Sequence, residues 1–183
     1  MNDASSPVRE RRIAAVTFLF FLFSFLGWAM EKGFVRISAG VNADRGFLAL
    51  PFCTVYGFGL LIARVLLGEP LKPFRYPFNL VLLLGYIAFA AFLCTAAELI
   101  VGVFFEQVVG VRLWTYAGNP YAYLDYVCLP VSVAWGLLLP AVMQGVWFPL
   151  ERRLRTVRGA WLPVVNAVLV VALSADFLIT LLL

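Results

Sequence analysis

Residues 13–30 read IAAVTFLFFLFSFLGWAM, an uninterrupted apolar run preceded directly by Arg9, Arg11 and Arg12. A run of this length spans the ~30 Å hydrocarbon layer only as a helix, because every backbone N–H and C=O must be satisfied internally where no water is present. Arginines before an apolar run are shared by signal peptides and first transmembrane helices. Trp28 and Met30 stand where a cleavable segment needs small residues, so the run is expected to be retained. Four further apolar segments follow, at about Phe47–Leu67, Phe78–Glu106, Tyr126–Leu150 and Trp161–Leu183. Of these, Phe78–Glu106 is expected to be the longest. None alternates with period two, which argues against barrel strands. The expected fold is all-α: a polytopic membrane helix bundle of about five transmembrane helices, with residues 1–12 as a cytoplasmic tail and residues 13–183 as a single transmembrane domain.

The composition agrees. Of 183 residues 63% are hydrophobic, and the mean hydropathy is +0.95, too apolar for one small soluble core. The net charge of +4 does not point to nucleic acid, because the basic residues sit between apolar segments, where membrane orientation and anionic lipid account for them. Arg9, Arg11, Arg12, Arg64, Lys72, Arg75, Arg152, Arg153, Arg155 and Arg158 fall on one side of the threaded spans. Lys32, Arg36, Arg45 and Arg112 fall on the other. That imbalance places the N-terminus in the cytoplasm and the C-terminus outside. The absence of histidine excludes a Ser-His-Asp triad and a histidine zinc site. No metal, cofactor or catalytic residue is expected.

The polar residues of the threaded chain gather on the outer side. Glu31 is expected at the outer end of the first helix, Asp44 and Arg45 in the first outer connection, Arg112 and Asp125 in the second, and Glu98 and Asp176 in the outer halves of their spans. Carboxylates in a membrane span need partners, and Arg45 and Arg112 are the nearest candidates for Glu98 and Asp176. Gly46 permits a chain reversal after Arg45, and Pro51 is placed near the first turn of the second helix. Gly57 and Gly59 are expected to let another backbone approach closely. Tyr116, Tyr121 and Tyr123 surround a Gly118-Asn119-Pro120 turn and read as an interfacial aromatic belt. Cys53 and Cys128 both fall near the outer face, where an oxidising compartment would let them form a disulfide.

Gly27-Trp28-x-x-Glu31, Arg45-Gly46-Phe47, Pro51-x-Cys53-x-x-Tyr56-Gly57-x-Gly59, Glu98, Trp114-x-Tyr116, Cys128-Leu129 and Trp135-Gly136 together resemble the CmpB-like ABC-transporter type IV family of bacterial membrane proteins, over about residues 18–150. The resemblance implies a permease-like transport component of the bacterial cytoplasmic (inner) membrane. The chain has no G-x-x-x-x-G-K-[ST] phosphate loop, so the ATPase of such a system is a separate subunit, with the basic loop Glu151–Arg158 as a candidate docking surface.

The leading reading is a transport component binding a small or amphipathic solute in an outward-facing polar pocket lined by Glu31, Arg45, Tyr56 and Glu98. Membrane lipid is its surroundings, and a homodimer through Gly57 and Gly59 is one expected assembly. The alternatives are a membrane-embedded enzyme acting on a lipid or lipid-linked substrate, with Glu31 and Glu98 as acid and base, or an accessory or sensory membrane protein.

Overall fold

The computed structural model describes residues 6–40, 48–66, 68 and 78–182. Asp44, Arg45, Gly46, Phe47, Lys72 and Arg75 lie outside the described residues. The fold is all-α apart from one short hairpin: α1 (Ser6–Ala39), α2 (Thr54–Leu66), α3 (Phe78–Phe104), β1 (Ala122–Tyr123), β2 (Val127–Cys128), α4 (Leu129–Val142), α5 (Phe148–Thr156) and α6 (Trp161–Leu182). Among the described residues four helical runs are long and apolar enough to cross a membrane: Pro7–Ile37, Leu80–Val109, Leu129–Thr156 and Trp161–Thr180.

The first helix has 34 residues, longer than the third, which differs from the expectation that Phe78–Glu106 would be longest. Polar Glu31 and Lys32 do not interrupt it, because the lone Gly33 is tolerated inside a helix and no proline follows Met30 before Gly40. There the backbone turns left-handed at φ 67° and the Gly40 amide closes the last turn on the Arg36 carbonyl at 3.2 Å. Glu31 therefore lies about two turns inside α1, not at its outer end.

The second apolar segment folds as the 13-residue α2, a rise of about 20 Å. Its start is delayed to Thr54, three residues past Pro51. The stretch before it is irregular: the Phe52 amide donates to the Leu50 carbonyl at 2.7 Å, and the Cys53 amide to the Ser24 carbonyl at 2.9 Å. Prolines also shape the run from α4 to α5. Pro140 and Pro149 cannot donate to the carbonyls four residues back, and a wide π-helical turn, Met143–Trp147, lies between them. The segment expected as a basic loop is helical as far as Thr156.

The chain divides into two compact units, residues 1–62 with 147–183, and residues 63–146. In the first, α2 runs back along α1: Cys53 meets Ser24, and Phe58 meets Phe20 with ring centroids 4.9 Å apart. Leu19, Ser24 and Trp147 are fully buried, and Trp147 stacks on Phe23 at 5.4 Å. The last helix is tied in by Asn166, whose amide donates to the Ala14 carbonyl at 2.8 Å. In the second unit α3 packs along α4, where a Cβ on Gly136 would lie 2.7 Å from the Ala91 methyl and 3.1 Å from the Ile87 carbonyl oxygen.

Gly57 is the corresponding close contact of the first unit, since any Cβ there would strike the Ser24 hydroxyl and the Phe20 ring. Gly59 faces open space among the described residues, so of the two glycines expected at a packing surface Gly57 is the one that meets other described residues closely. Gly57→Val should lower stability by about 1–3 kcal/mol through overpacking, and Gly59→Val by no more than about 0.5 kcal/mol. Thermal unfolding of the two variants in mild detergent checks the difference.

Candidate functional site

The acidic side chains of the described residues fall into groups by what they accept from. Glu106 receives a forked grip from Arg112, with Nε and one terminal nitrogen each at 2.6 Å, and Asp125 stands 4.0 Å from the same guanidinium. The Glu106 hydrogen bonds push the Arg112 pKa further above its already high ordinary value. Glu151 is almost fully buried, paired with Arg155 one turn on and receiving the Trp147 indole N–H at 3.1 Å. Asp176, also buried, accepts the backbone amides of Ala49 and Leu50 at 3.3 and 3.0 Å. It staples the irregular stretch before α2. Among the described residues the donors to Asp176 and Glu98 are neutral: Arg112, one of the two arginines expected as partners, is held by Glu106, and Arg45, the other, lies outside the described residues.

Glu31 and Glu98 form a further group: each is held by aromatic donors and neither is in an ion pair among the described residues. Tyr56 Oη donates to Glu31 Oε1 at 2.5 Å. The approach depends on Gly27, one turn before Glu31 on the same face of α1. A Cβ there would lie 2.8 Å from Tyr56 Cβ, so glycine alone lets the tyrosine ring lie against α1 with its hydroxyl beside the carboxylate. Next to it, Lys32 Nζ sits over the Trp28 ring, 4.7 Å from the centroid.

Glu98 belongs to the second unit. Its Oε1 accepts from Trp135 Nε1 at 3.2 Å and from Tyr116 Oη at 3.3 Å. Trp135 is delivered by the close contact at neighbouring Gly136, and Tyr116 by the segment read as an aromatic belt. That segment is a built element: the Tyr116 amide donates to the Asp125 carbonyl at 2.8 Å, Trp114 Nε1 to the Tyr126 carbonyl at 2.8 Å, and the Tyr126 ring packs on Gly102. Between β1 and β2 the turn holds Leu124 and Asp125 at φ 52° and 59°, the left-handed pair that a tight hairpin demands.

Of the residues expected to share a pocket, Glu31 and Tyr56 are in contact in the first unit, Glu98 is in the second, and Arg45 lies outside the described residues, as does Gly46. The cysteines of the expected disulfide, Cys53 and Cys128, are free thiols. The described residues contain no cluster of three or more acidic or cysteine side chains suited to a metal. An apolar furrow on α6, lined by Ala167, Val168, Val171 and Ala172, carries none of these polar groups. Trp147 is the core donor that sequence reasoning passed over, and Trp135, noted only as part of the Trp135-Gly136 motif, was not anticipated as a donor to Glu98. Trp147 is readable in retrospect, since Trp147, Glu151 and Arg155 recur every fourth residue, whereas Trp135 meets Glu98 only through helix packing.

Asp176→Ala should leave two backbone amides without their acceptor and lower stability by about 2 kcal/mol or more. Asp176→Asn, which keeps one oxygen, should cost less than Asp176→Ala. Denaturation midpoints of the two variants in detergent measure this order.

The family model described as "Putative ABC-transporter type IV" matches residues 18–181, extending through the last helix beyond the motifs that end near residue 150. No curated protein and no solved structure matches the chain significantly. With most of its length covered by that match, the chain is a membrane protein that belongs to the ABC-transporter type IV family.

Proposed function

We propose that the protein is the permease-like membrane component of an ABC-type transport system in the bacterial inner membrane, contacting a small or amphipathic solute through outward-facing polar groups. The family match supports the transport class. The observation that carries the solute contacts is that, among the described residues, the groups donating to Glu31 and Glu98 are aromatic N–H and O–H groups. Carboxylates that serve packing are paired with arginine, as Glu106 and Glu151 are, or take a backbone amide on each oxygen, as Asp176 does; Glu31 and Glu98 do neither among the described residues. Neutral donors instead orient a carboxylate and leave its charge available to a ligand. Tyr56 shares the Glu31 contact, and Arg45 adds an anion-gripping group on sequence grounds.

In this reading the N-terminus and α5 are cytoplasmic, in keeping with their arginines. The ATPase is a separate subunit, because the chain has no phosphate loop. Its docking surface is α5, which turns Phe148 and Glu151 inward and leaves Arg152 and Arg153 exposed. A second copy of the chain completes the transport path.

Glu98→Gln and Arg45→Ala should each lower accumulation or export of the solute by at least about tenfold while the protein remains folded in the membrane. Labelled-solute panels in cells expressing each variant measure this, and unchanged flux in both variants defeats the reading. Purification of the wild-type chain in mild detergent should bring an ATPase subunit with it. Replacing Arg152 and Arg153 by glutamate should cut that recovery by about tenfold.

A further inference from the structure

Glu98 offers more oxygen than its neighbours use. Both of its donors converge on Oε1, Trp135 Nε1 at 3.2 Å and Tyr116 Oη at 3.3 Å, while Oε2 is buried with no hydrogen-bond partner. The amide of a glutamine would satisfy the same two donors through its single carbonyl oxygen and bring no charge into the span Leu80–Val109. A carboxyl differs from that amide in having a second oxygen able to take and release a proton.

The groups around it leave that oxygen open. Cys94 is one turn away on α3, and Thr95 is turned back onto the Ala91 carbonyl at 2.8 Å. The segment before the hairpin contributes Tyr116, and α4 contributes Trp135 from a sequence, LPVSVAWGLLLPAV, that holds no acidic or basic side chain. About two turns further along, Glu106 is held by Arg112, and Arg112 lies within 4.0 Å of Asp125 as well. No lysine or arginine among the described residues pairs with Glu98. A buried carboxylate oxygen must accept from a donor, be covered by a positive charge or carry a proton, and Oε2 has neither of the first two among the described residues.

We infer that Glu98 is a proton-carrying group of this membrane chain: Oε2 gains a proton to give the neutral acid and returns it to give the carboxylate, whose charge Tyr116 and Trp135 hold through Oε1. No other bond forms or breaks. As a coupling group in transport it rests on the reading under Proposed function. As a proton site it is tested by chemistry alone.

The test uses the full chain in native membranes treated with dicyclohexylcarbodiimide, a lipid-soluble reagent that reaches half-exposed groups within a span. The protonated carboxyl transfers its proton to a carbodiimide nitrogen as its oxygen bonds the central carbon, and the adduct rearranges to a stable N-acylurea that mass spectrometry locates. Label is expected on Glu98, falling about tenfold per pH unit above a midpoint. Trp135→Phe removes a donor that favours the charged form, so its labelling midpoint should move upward by about one pH unit. Tyr116→Phe should move it in the same direction and serves where the tryptophan variant fails to fold. Absence of label at Glu98, label independent of pH, or a midpoint unmoved in the folded variants overturns the inference. Normal labelling with undiminished flux in both Glu98→Gln and Arg45→Ala leaves the proton site standing and removes the transport reading. Lost flux without labelling retains transport and removes the proton site.

Discussion

Close approach of helices at single glycines is the constraint on which the polar chemistry of this protein depends. An aromatic side chain reaches a carboxylate on a neighbouring helix only when the two backbones come nearer than ordinary side chains allow. Gly57 packs against Ser24 and Phe20, which seats Tyr56 beside Glu31. Gly136 packs against Ala91 and Ile87, which seats Trp135 beside Glu98. In both units the donor stands immediately before the packing glycine in sequence. A further glycine one turn from each carboxylate, Gly27 or Gly102, receives an aromatic ring. The family motif Gly27-x-x-x-Glu31 with Tyr56-Gly57 therefore has a mechanical basis: room for a ring, then an acceptor for its hydroxyl.

The irregular backbone shows the same economy of polar groups. The stretch before α2 runs alongside Ser24, inside the apolar part of α1, where unsatisfied amides are costly. Each amide described as bonded there has a specific acceptor: Asp176 for Ala49 and Leu50, and the Ser24 carbonyl for Cys53. Asp176 thus works as a structural anchor between α6 and this stretch. The buried Trp147, Glu151 and Arg155 group does comparable work where α5 meets α1, combining a charge pair with a neutral donor so that the buried carboxylate is satisfied on both oxygens.

Much of this was legible without coordinates. Apolar length gave about five spans, of which four are helices long enough to cross a membrane among the described residues and the second is the shorter α2; Glu31, Tyr56 and Gly57 stand out because polar and turn-forming residues interrupt a lipid-like sequence at one place. Less legible was the extent of the elements. Residues 31–39 continue α1 because propensity and the absence of a breaker outweigh the two charges, whereas residues 48–53 leave the helix because Pro51 lacks a donor and Asp176 offers the preceding amides an alternative. The hairpin around Leu124 was hidden because neither Leu124 nor Asp125 is a glycine, although both adopt the left-handed angle.

From the chain alone, hydropathy and backbone hydrogen bonding determine that this is an α-helical membrane protein, and the arrangement of its arginines argues for one orientation. These follow from local physics: an apolar run must satisfy its own amides wherever it sits in the fold. Which acidic residue pairs with which partner was decided only by tertiary structure, because Glu98 meets Trp135 across 37 positions of sequence and Asp176 meets Leu50 across 126. Charge counting assigned arginines to both. Among the described residues packing gives them an indole, a phenol and two backbone amides, since a side chain's partner is set by where the fold brings the elements together and not by the nearest opposite charge in sequence.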